Sequence, residues 1–234
     1  LTLPPAPSSK NQKLQQFDLQ VREGGWKVLA GVDEAGRGPL AGPVVSAAVI
    51  VRDPSAPFLS RIDDSKKLSA KARESAFEEI RARCAFSIVA KDARRIDTVN
   101  IYEATLEAMR EAVEALDGMT RADGPEAAVG RPGLVLIDGP IKLAVRFPVR
   151  GIVGGDAMSL TIACASILAK VTRDRMMMDF HEQYPQYGFD KHKGYGTALH
   201  LAALKAHGPC PIHRRSFAPV SSTFSPAPVD ARLS

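Results

Sequence analysis

The chain has 234 residues, room for one large domain or two small ones, and its 45% hydrophobic and 24% charged content is that of a folded globular protein. No apolar run reaches membrane-spanning length, which excludes a transmembrane-helix reading and with it a membrane partner. A net charge of +5 admits a polyanionic partner, while three cysteines (Cys84, Cys164, Cys210) with no CxxC spacing exclude a disulfide framework or thiolate zinc site and point to reduced thiols in a cytoplasmic protein.

Residues 1–24, with Pro4, Pro5 and Pro7 and then a polar run, read as a flexible lead-in without a signal-peptide core. Lys27 to Val32 is predicted as a strand delivering Asp33, and Val44 to Val51 as a second; the short glycine-rich connection makes them a hairpin. Ser69 caps a helix to about Arg83 with Ala72, Ala76 and Ile80 at helical spacing, and Phe86 to Ala90 is a third strand. Asn100 and Glu103 form a capping box; the helix behind them presents Tyr102, Leu106, Met109, Val113 and Leu116 on one face and ends at Gly118, before a loop over residues 119–133. Leu134 to Ile137 is fully apolar and so reads as an interior strand. Ser159 begins a long helix to about Phe180, Thr197 caps a last helix ending at His207-Gly208, and residues 221–234 read as a second flexible tail. Between the tails lies one domain, 25–220, in which strands come first and then alternate with helices, the pattern of an α/β mixed sheet covered by helices.

Four acids stand at strand ends or element boundaries: Asp33 and Glu34 before a glycine-flanked Arg37, Asp138 before Gly139-Pro140, and Asp156 after Gly154-Gly155. Adjacent carboxylates repel and need a cation or a proton. An all-oxygen set suits Mg²⁺ or Mn²⁺, and two such ions about 3.5–4 Å apart can drive phosphodiester hydrolysis. Strand alternation points Asp33 and Glu34 to opposite faces, so Glu34 reaches the same site only if the strand twists or bulges. Each acid is equally readable as a turn former or helix cap. His192-Lys193-Gly194-Tyr195-Gly196 offers a base-stacking ring and a phosphate-binding ammonium, or a half-buried tyrosine on a positive loop. Asp64-Ser65-Lys66-Lys67-Leu68 and His213-Arg214-Arg215-Ser216-Phe217 are basic clusters with hydroxyls, readable also as solvated faces; His213 is a mobile proton shuttle or a structural imidazole.

Taken together, Asp33-Glu34-Ala35-Gly36-Arg37-Gly38, Asp64-Ser65-Lys66-Lys67-Leu68, Ile137-Asp138-Gly139, Gly155-Asp156, Ala165-Ser166-Ile167-Leu168-Ala169-Lys170-Val171-Thr172-Arg173-Asp174, Tyr187-Gly188-Phe189 with His192 to Thr197, and His213 to Phe217 resemble bacterial ribonuclease HII, in order from about Ala30 to Val220. The resemblance implies a ribonuclease H-like fold, a five-stranded mixed sheet flanked by helices with a small helical C-terminal part. It implies endonucleolytic cleavage of RNA paired with DNA, and of single ribonucleotides embedded in duplex DNA, leaving 3′-hydroxyl and 5′-phosphate ends. By similarity, Asp33, Glu34, Asp138 and Asp156 are the catalytic set that holds two Mn²⁺ or Mg²⁺ ions. Gly36, Arg37 and Gly38 contact the target 2′-hydroxyl, the group that separates RNA from DNA. Tyr195 packs on the neighbouring deoxyribose, and Ser65, Lys66, Lys193 and Arg214 join the nucleic-acid surface. Gly154 and Met158 stand where many relatives carry lysine.

Two other readings compete. Ribonuclease HIII adds an N-terminal substrate-binding domain, for which about 24 residues are too few. A binding module without catalysis is opposed by the complete acid set. A monomer is expected. Gln12 to Leu19 loosely suggests a motif for a sliding clamp, a partner that nothing else in the sequence supports.

Overall fold

The structure, a computed structural model, describes residues 9–122 and 131–223. Its elements are α1 (Ser9–Glu23), β1 (Leu29–Ala35), β2 (Val44–Ile50), α2 (Ala70–Arg83), β3 (Ala85–Lys91), α3 (Ala93–Val99), α4 (Ile101–Ala122), β4 (Leu134–Asp138), β5 (Val149–Ile152), α5 (Leu160–Gln183), the single turn α6 (Phe189–His192) and α7 (Ala198–His207). The five strands make one mixed sheet in the order β3-β2-β1-β4-β5. β1, β2 and β3 are antiparallel in sequence, and β4 lies parallel to both β1 and β5.

Alternation along the strands sorts side chains to two faces. Ala47 and Val49 pack with α5 and α2 through Cys164, Ile167, Leu168 and Ile80. Ala30, Val32, Ala48 and Ile50 pack on the other face with Met109, Val113 and Leu116 of α4. Every residue of β2 is buried, as a strand covered on both sides requires. The hairpin, the interior place of β4 and three serine or threonine caps match the sequence reading: Ser69 accepts from the Ala72 amide, Ser159 from Ile162 and Thr197 from His200.

Four local expectations are corrected. The lead-in is, from Ser9 on, a docked helix. Leu14 is fully buried, worth about 1.5–3 kcal/mol. Asp18 accepts from the Ser159 hydroxyl (2.6 Å) and the Thr161 amide (2.9 Å), placing a carboxylate on the start of α5. Residues 1–8, and the part of the expected tail over 224–234, lie outside the described residues. Helix α4 runs through Gly118 to Ala122, since one helical glycine costs only about 1 kcal/mol against alanine. Tyr102 is 46% exposed: two residues from the buried Ala104, it sits about 200° around the helix from the inward stripe. Helix α3, capped by Asp92, went unrecognised because it is a seven-residue element with only Ala93 and Ile96 buried.

The C-terminal helical part is held by two small cores. Met177 of α5 meets Ala41, Tyr187, Phe189 and Ala203, and Leu40 meets Leu204 and Val220. This brings the 192–197 loop against the loop that follows β1. Among the described residues no helix is long and apolar enough to cross a membrane.

Candidate active site

Parallel pairing of β1 and β4 sets Val32 beside Ile137, so the next residues, Asp33 and Asp138, emerge at the same carboxyl edge of the sheet. That edge is where ligands reach an open α/β sheet. The Gly155 amide donates to Asp138 Oδ1 (2.6 Å) and carries Asp156 to the same place; a Cβ at Gly155 would come within 2.7 Å of Ile162. Lys66, from the loop before α2, sets its ammonium 3.4 Å from Asp156 Oδ2. Asp33, Glu34, Ala35, Gly36, Arg37, Gly38, Ser65, Lys66, Asp138, Ser166, Lys170, Arg173 and Tyr195 line one cleft of about 370 Å³. Glu34 therefore does share the cleft with Asp33, where β1 has passed the end of its pairing with β4 and still pairs with β2.

The acids hold each other in an uncomfortable state. Asp33 is buried, accepts from the Glu34 amide (2.7 Å) and the Ser166 hydroxyl, and is pushed well above the usual carboxylate range by burial and then by the charges of Glu34 and Asp138. Glu34 is raised by burial, against the pull of Arg37 (3.4 Å). Asp138 is raised by burial and by Asp156. The ammonium of Lys66 is raised by Asp156 against its own partial burial. Glu34 Oε2 is buried without a hydrogen-bond partner. An orphaned acceptor among mutually repelling hard oxygens fits a divalent cation. Among the described residues no three such side chains close into a ready cage; Mg²⁺-type ions commonly take one or two carboxylates and complete their shell with water and substrate phosphate.

The far wall is the glycine loop and Tyr195. A Cβ at Gly38 would lie 3.6 Å from the Tyr195 ring, which is 49% exposed. An oxygen-lined edge beside a backbone-exposing loop matches a known pattern along most of the chain: the family model described as Ribonuclease HII covers residues 30–220.

The chain belongs to the ribonuclease HII family.

A Burkholderia thailandensis ribonuclease HII is 53% identical over 199 residues, 85% of this chain and 86% of the relative. One from Xylella fastidiosa is 49% identical over 226 residues, 94% and 90% of the two chains. A solved structure of the PCNA:RNase HII complex from Archaeoglobus fulgidus aligns with a TM-score of 0.64 at 25% identity, covering 81% of this chain and 95% of that one. As a member of the ribonuclease HII family the chain is a hydrolase of the nuclease class, and its mixed sheet with flanking helices is the family's architecture.

One residue expected on the ribonuclease HII nucleic-acid surface is elsewhere. Arg214 is fully buried; its guanidinium donates to the carbonyls of Gly36, Arg37 and Gly42 instead of facing solvent. Lys193 is half-buried with its ammonium on the Asp190 carbonyl; neither it nor Asp156 lines the cleft itself, though Asp156 touches its wall through Lys66. Ser65 is buried but lines the cleft, its hydroxyl 2.9 Å from that of Ser166. At the two departures from the usual lysines, Gly154 has a left-handed φ of +66°, a conformation that disfavours a side chain, and Met158 is 44% exposed.

Sequence reasoning missed Arg173 and Ser166 as parts of the site. Arg173 donates to the carbonyls of Pro43, Ala41 and Lys193 and so joins the two loops of the far wall. Its signal was an arginine inside the otherwise apolar face of α5.

His213 is structural, not mobile. The Cys210 amide donates to its Nδ1 (3.0 Å), which leaves the proton on Nε2 to donate to His200 Nε2 (3.0 Å); His200 Nδ1 then donates to the Tyr195 carbonyl (2.9 Å). Burial, then the neighbouring His200, lowers His213 to about 4. Between the ordinary value near 6.5 and about 4 the unfolded chain binds a proton that the fold refuses, so stability is lost as pH falls through this window. His213→Asn is expected to flatten that limb, as checked by urea midpoints from pH 7 to pH 4; an unchanged limb would assign the acid loss to other groups.

Proposed function

We propose that this chain is an endoribonuclease that cuts the RNA strand of RNA–DNA hybrids and cuts at single ribonucleotides embedded in duplex DNA, leaving 3′-hydroxyl and 5′-phosphate ends. The observation that carries this reading is the adjacency, in one cleft, of Asp33, Glu34 and Asp138 with the Gly36-Arg37-Gly38 loop and the Tyr195 ring, Asp156 lying just behind the cleft lining against Lys66. Acids alone suit many hydrolases. A tight glycine loop that can meet a 2′-hydroxyl, beside a ring that can lie on a sugar lacking one, suits a junction of RNA and DNA.

Asp33, Glu34, Asp138 and Asp156 are the residues that would hold the metal, Mn²⁺ or Mg²⁺, with two ions in the presence of substrate. Bound there, the ions supply Lewis acidity toward the attacking water and the leaving oxygen. Lys66, already on Asp156, meets a phosphate of the scissile strand. Lys170, held by Asp174 at 2.6 Å, adds positive charge along the same wall. Arg37, anchored to Glu34 and otherwise exposed, is a phosphate contact. The experiment is cleavage in Mn²⁺ and in Mg²⁺ of three duplexes: one with a single ribonucleotide, one long RNA–DNA hybrid and one all-DNA control. Cleavage of the DNA control, or of none, would overturn the proposal.

Tyr195 gives a sharper result. Tyr195→Ala should lose about 1–3 kcal/mol of stacking on the single-ribonucleotide duplex and less on the all-RNA hybrid, which has no deoxyribose after the cut site. Tyr195→Phe should keep most activity. The ratio of kcat/KM on the two substrates is the measurement; an equal loss on both would reduce Tyr195 to a packing residue.

A further inference from the structure

Arg214 and Arg173 are both almost completely buried beneath the loop that follows β1, and among the described residues neither guanidinium has a carboxylate in salt-bridge range. Burying an unpaired guanidinium is costly unless every donor is used. Arg214 uses its planar fork on three carbonyls: Nη2 to Gly36 (2.5 Å), Nη1 to Arg37 (2.9 Å) and Nε to Gly42 (3.0 Å).

The peptide bonds after Gly36 and Arg37 are trans. In a planar trans peptide the C=O and N–H point in opposite directions. The Gly36 carbonyl shares its peptide with the Arg37 amide, and the Arg37 carbonyl shares its peptide with the Gly38 amide. Two carbonyls drawn inward to Arg214 therefore turn two successive amides outward, at residues that are exposed and line the cleft. Neither amide has an acceptor among the described residues. The left-handed φ of Gly36 (+96°) permits the turn, because a Cβ there would lie 2.0 Å from Arg173 Nε and 2.7 Å from the Pro43 carbonyl.

We propose that Arg214 is a positioning residue for ribonucleotide selection: it never meets the nucleic acid, and it holds the Arg37 and Gly38 amides aimed at the oxygen-rich side of the target nucleotide. The selection part rests on the ribonucleotide-reading role proposed above; the aim of the amides does not. Lysine cannot replace the arginine here, because one ammonium nitrogen cannot span three carbonyls held in the plane of a fork.

The test uses the full chain with Arg214→Lys and Arg214→Met. Amide resonances of Arg37 and Gly38 are followed by ¹⁵N–¹H NMR in the free proteins. Binding of a single-ribonucleotide duplex and of the same duplex in all-deoxy form is then measured in Ca²⁺. In a folded variant both amides should shift. The preference for the ribonucleotide duplex should fall about tenfold, while affinity for the all-deoxy duplex and for Mn²⁺ alone stays the same. Unmoved amides, or an equal loss on both duplexes, would overturn the proposal and leave Arg214 as a general packing residue. If the wild type binds both duplexes equally, the ribonucleotide-reading role fails, and the amide shifts still decide what Arg214 does. Should neither variant fold, the wild type decides: the Arg214 guanidinium should show hydrogen-bond couplings to the Gly36 and Arg37 carbonyl carbons, and their absence would overturn the proposal.

Discussion

Asp33→Asn should abolish cleavage, by about a thousandfold or more, while leaving the fold intact. The residue sits just past the end of the β1–β4 pairing, where burial and then the charges of Glu34 and Asp138 raise its proton affinity. Asparagine keeps the shape and can still accept from the Glu34 amide while donating to the Ser166 hydroxyl, so the hydrogen bonds survive and only the charge is lost. Removing one charge from a repelling cluster should hold or raise the melting temperature of the metal-free protein. The pH dependence follows with its sign. A carboxylate whose folded pKa lies above its unfolded value makes the fold bind more protons, so metal-free stability falls as pH rises above about 4 toward the folded value. The variant should show less of this fall. Mn²⁺ should restore the wild type at neutral pH and help the variant much less. Melting curves with and without Mn²⁺, beside single-turnover cleavage, check both halves; near-normal turnover in saturating metal would sink the assignment. Asp138→Asn should behave alike.

Gly31→Ala should destabilise the fold severely, by about 3 kcal/mol or more. A Cβ at Gly31 would lie 2.3 Å from the carbonyl carbon and oxygen of Thr161 and 2.5 Å from the Ile162 nitrogen. All three are backbone atoms at the start of α5, so no side chain can swing away. Neither element has room to move: β1 is the middle strand, paired on both edges, and Ser159 and Asp18 fix the start of α5. Gly154→Ala is the useful contrast. It meets nothing within 4 Å and should cost only the strain of its left-handed backbone, about 1–2 kcal/mol. Denaturant midpoints of the two variants measure the difference, and similar midpoints would mean that α5 does not press on β1 as closely as described.

Several features were legible because their causes are local in the chain. The β1–β2 hairpin follows from an apolar run and a β-branched run joined by a short glycine-rich link. The caps at Ser69, Ser159 and Thr197 each bond an amide three residues on. The acids stood out because Asp33 and Asp138 each close an apolar strand, and the repeated agreement of long motifs identified the family. What escaped the sequence depends on partners far along the chain. Helix α1 is mostly polar, and its reason for order, Asp18 on the start of α5, lies 141 residues away. Glu34 joins Asp33 in one cleft although ideal strand alternation separates them: the β4 pairing stops at Val32, and from there β1 continues against β2 alone. Arg214 looked like one more surface cation in a basic run. Its burial is set by carbonyls of Gly36 and Arg37 178 and 177 residues earlier, brought beneath it when the C-terminal helices close on the loop after β1. Side-chain chemistry and short-range periodicity are properties of the linear chain. Which cation ends up paired with water and which with backbone is settled only when distant segments exclude solvent together.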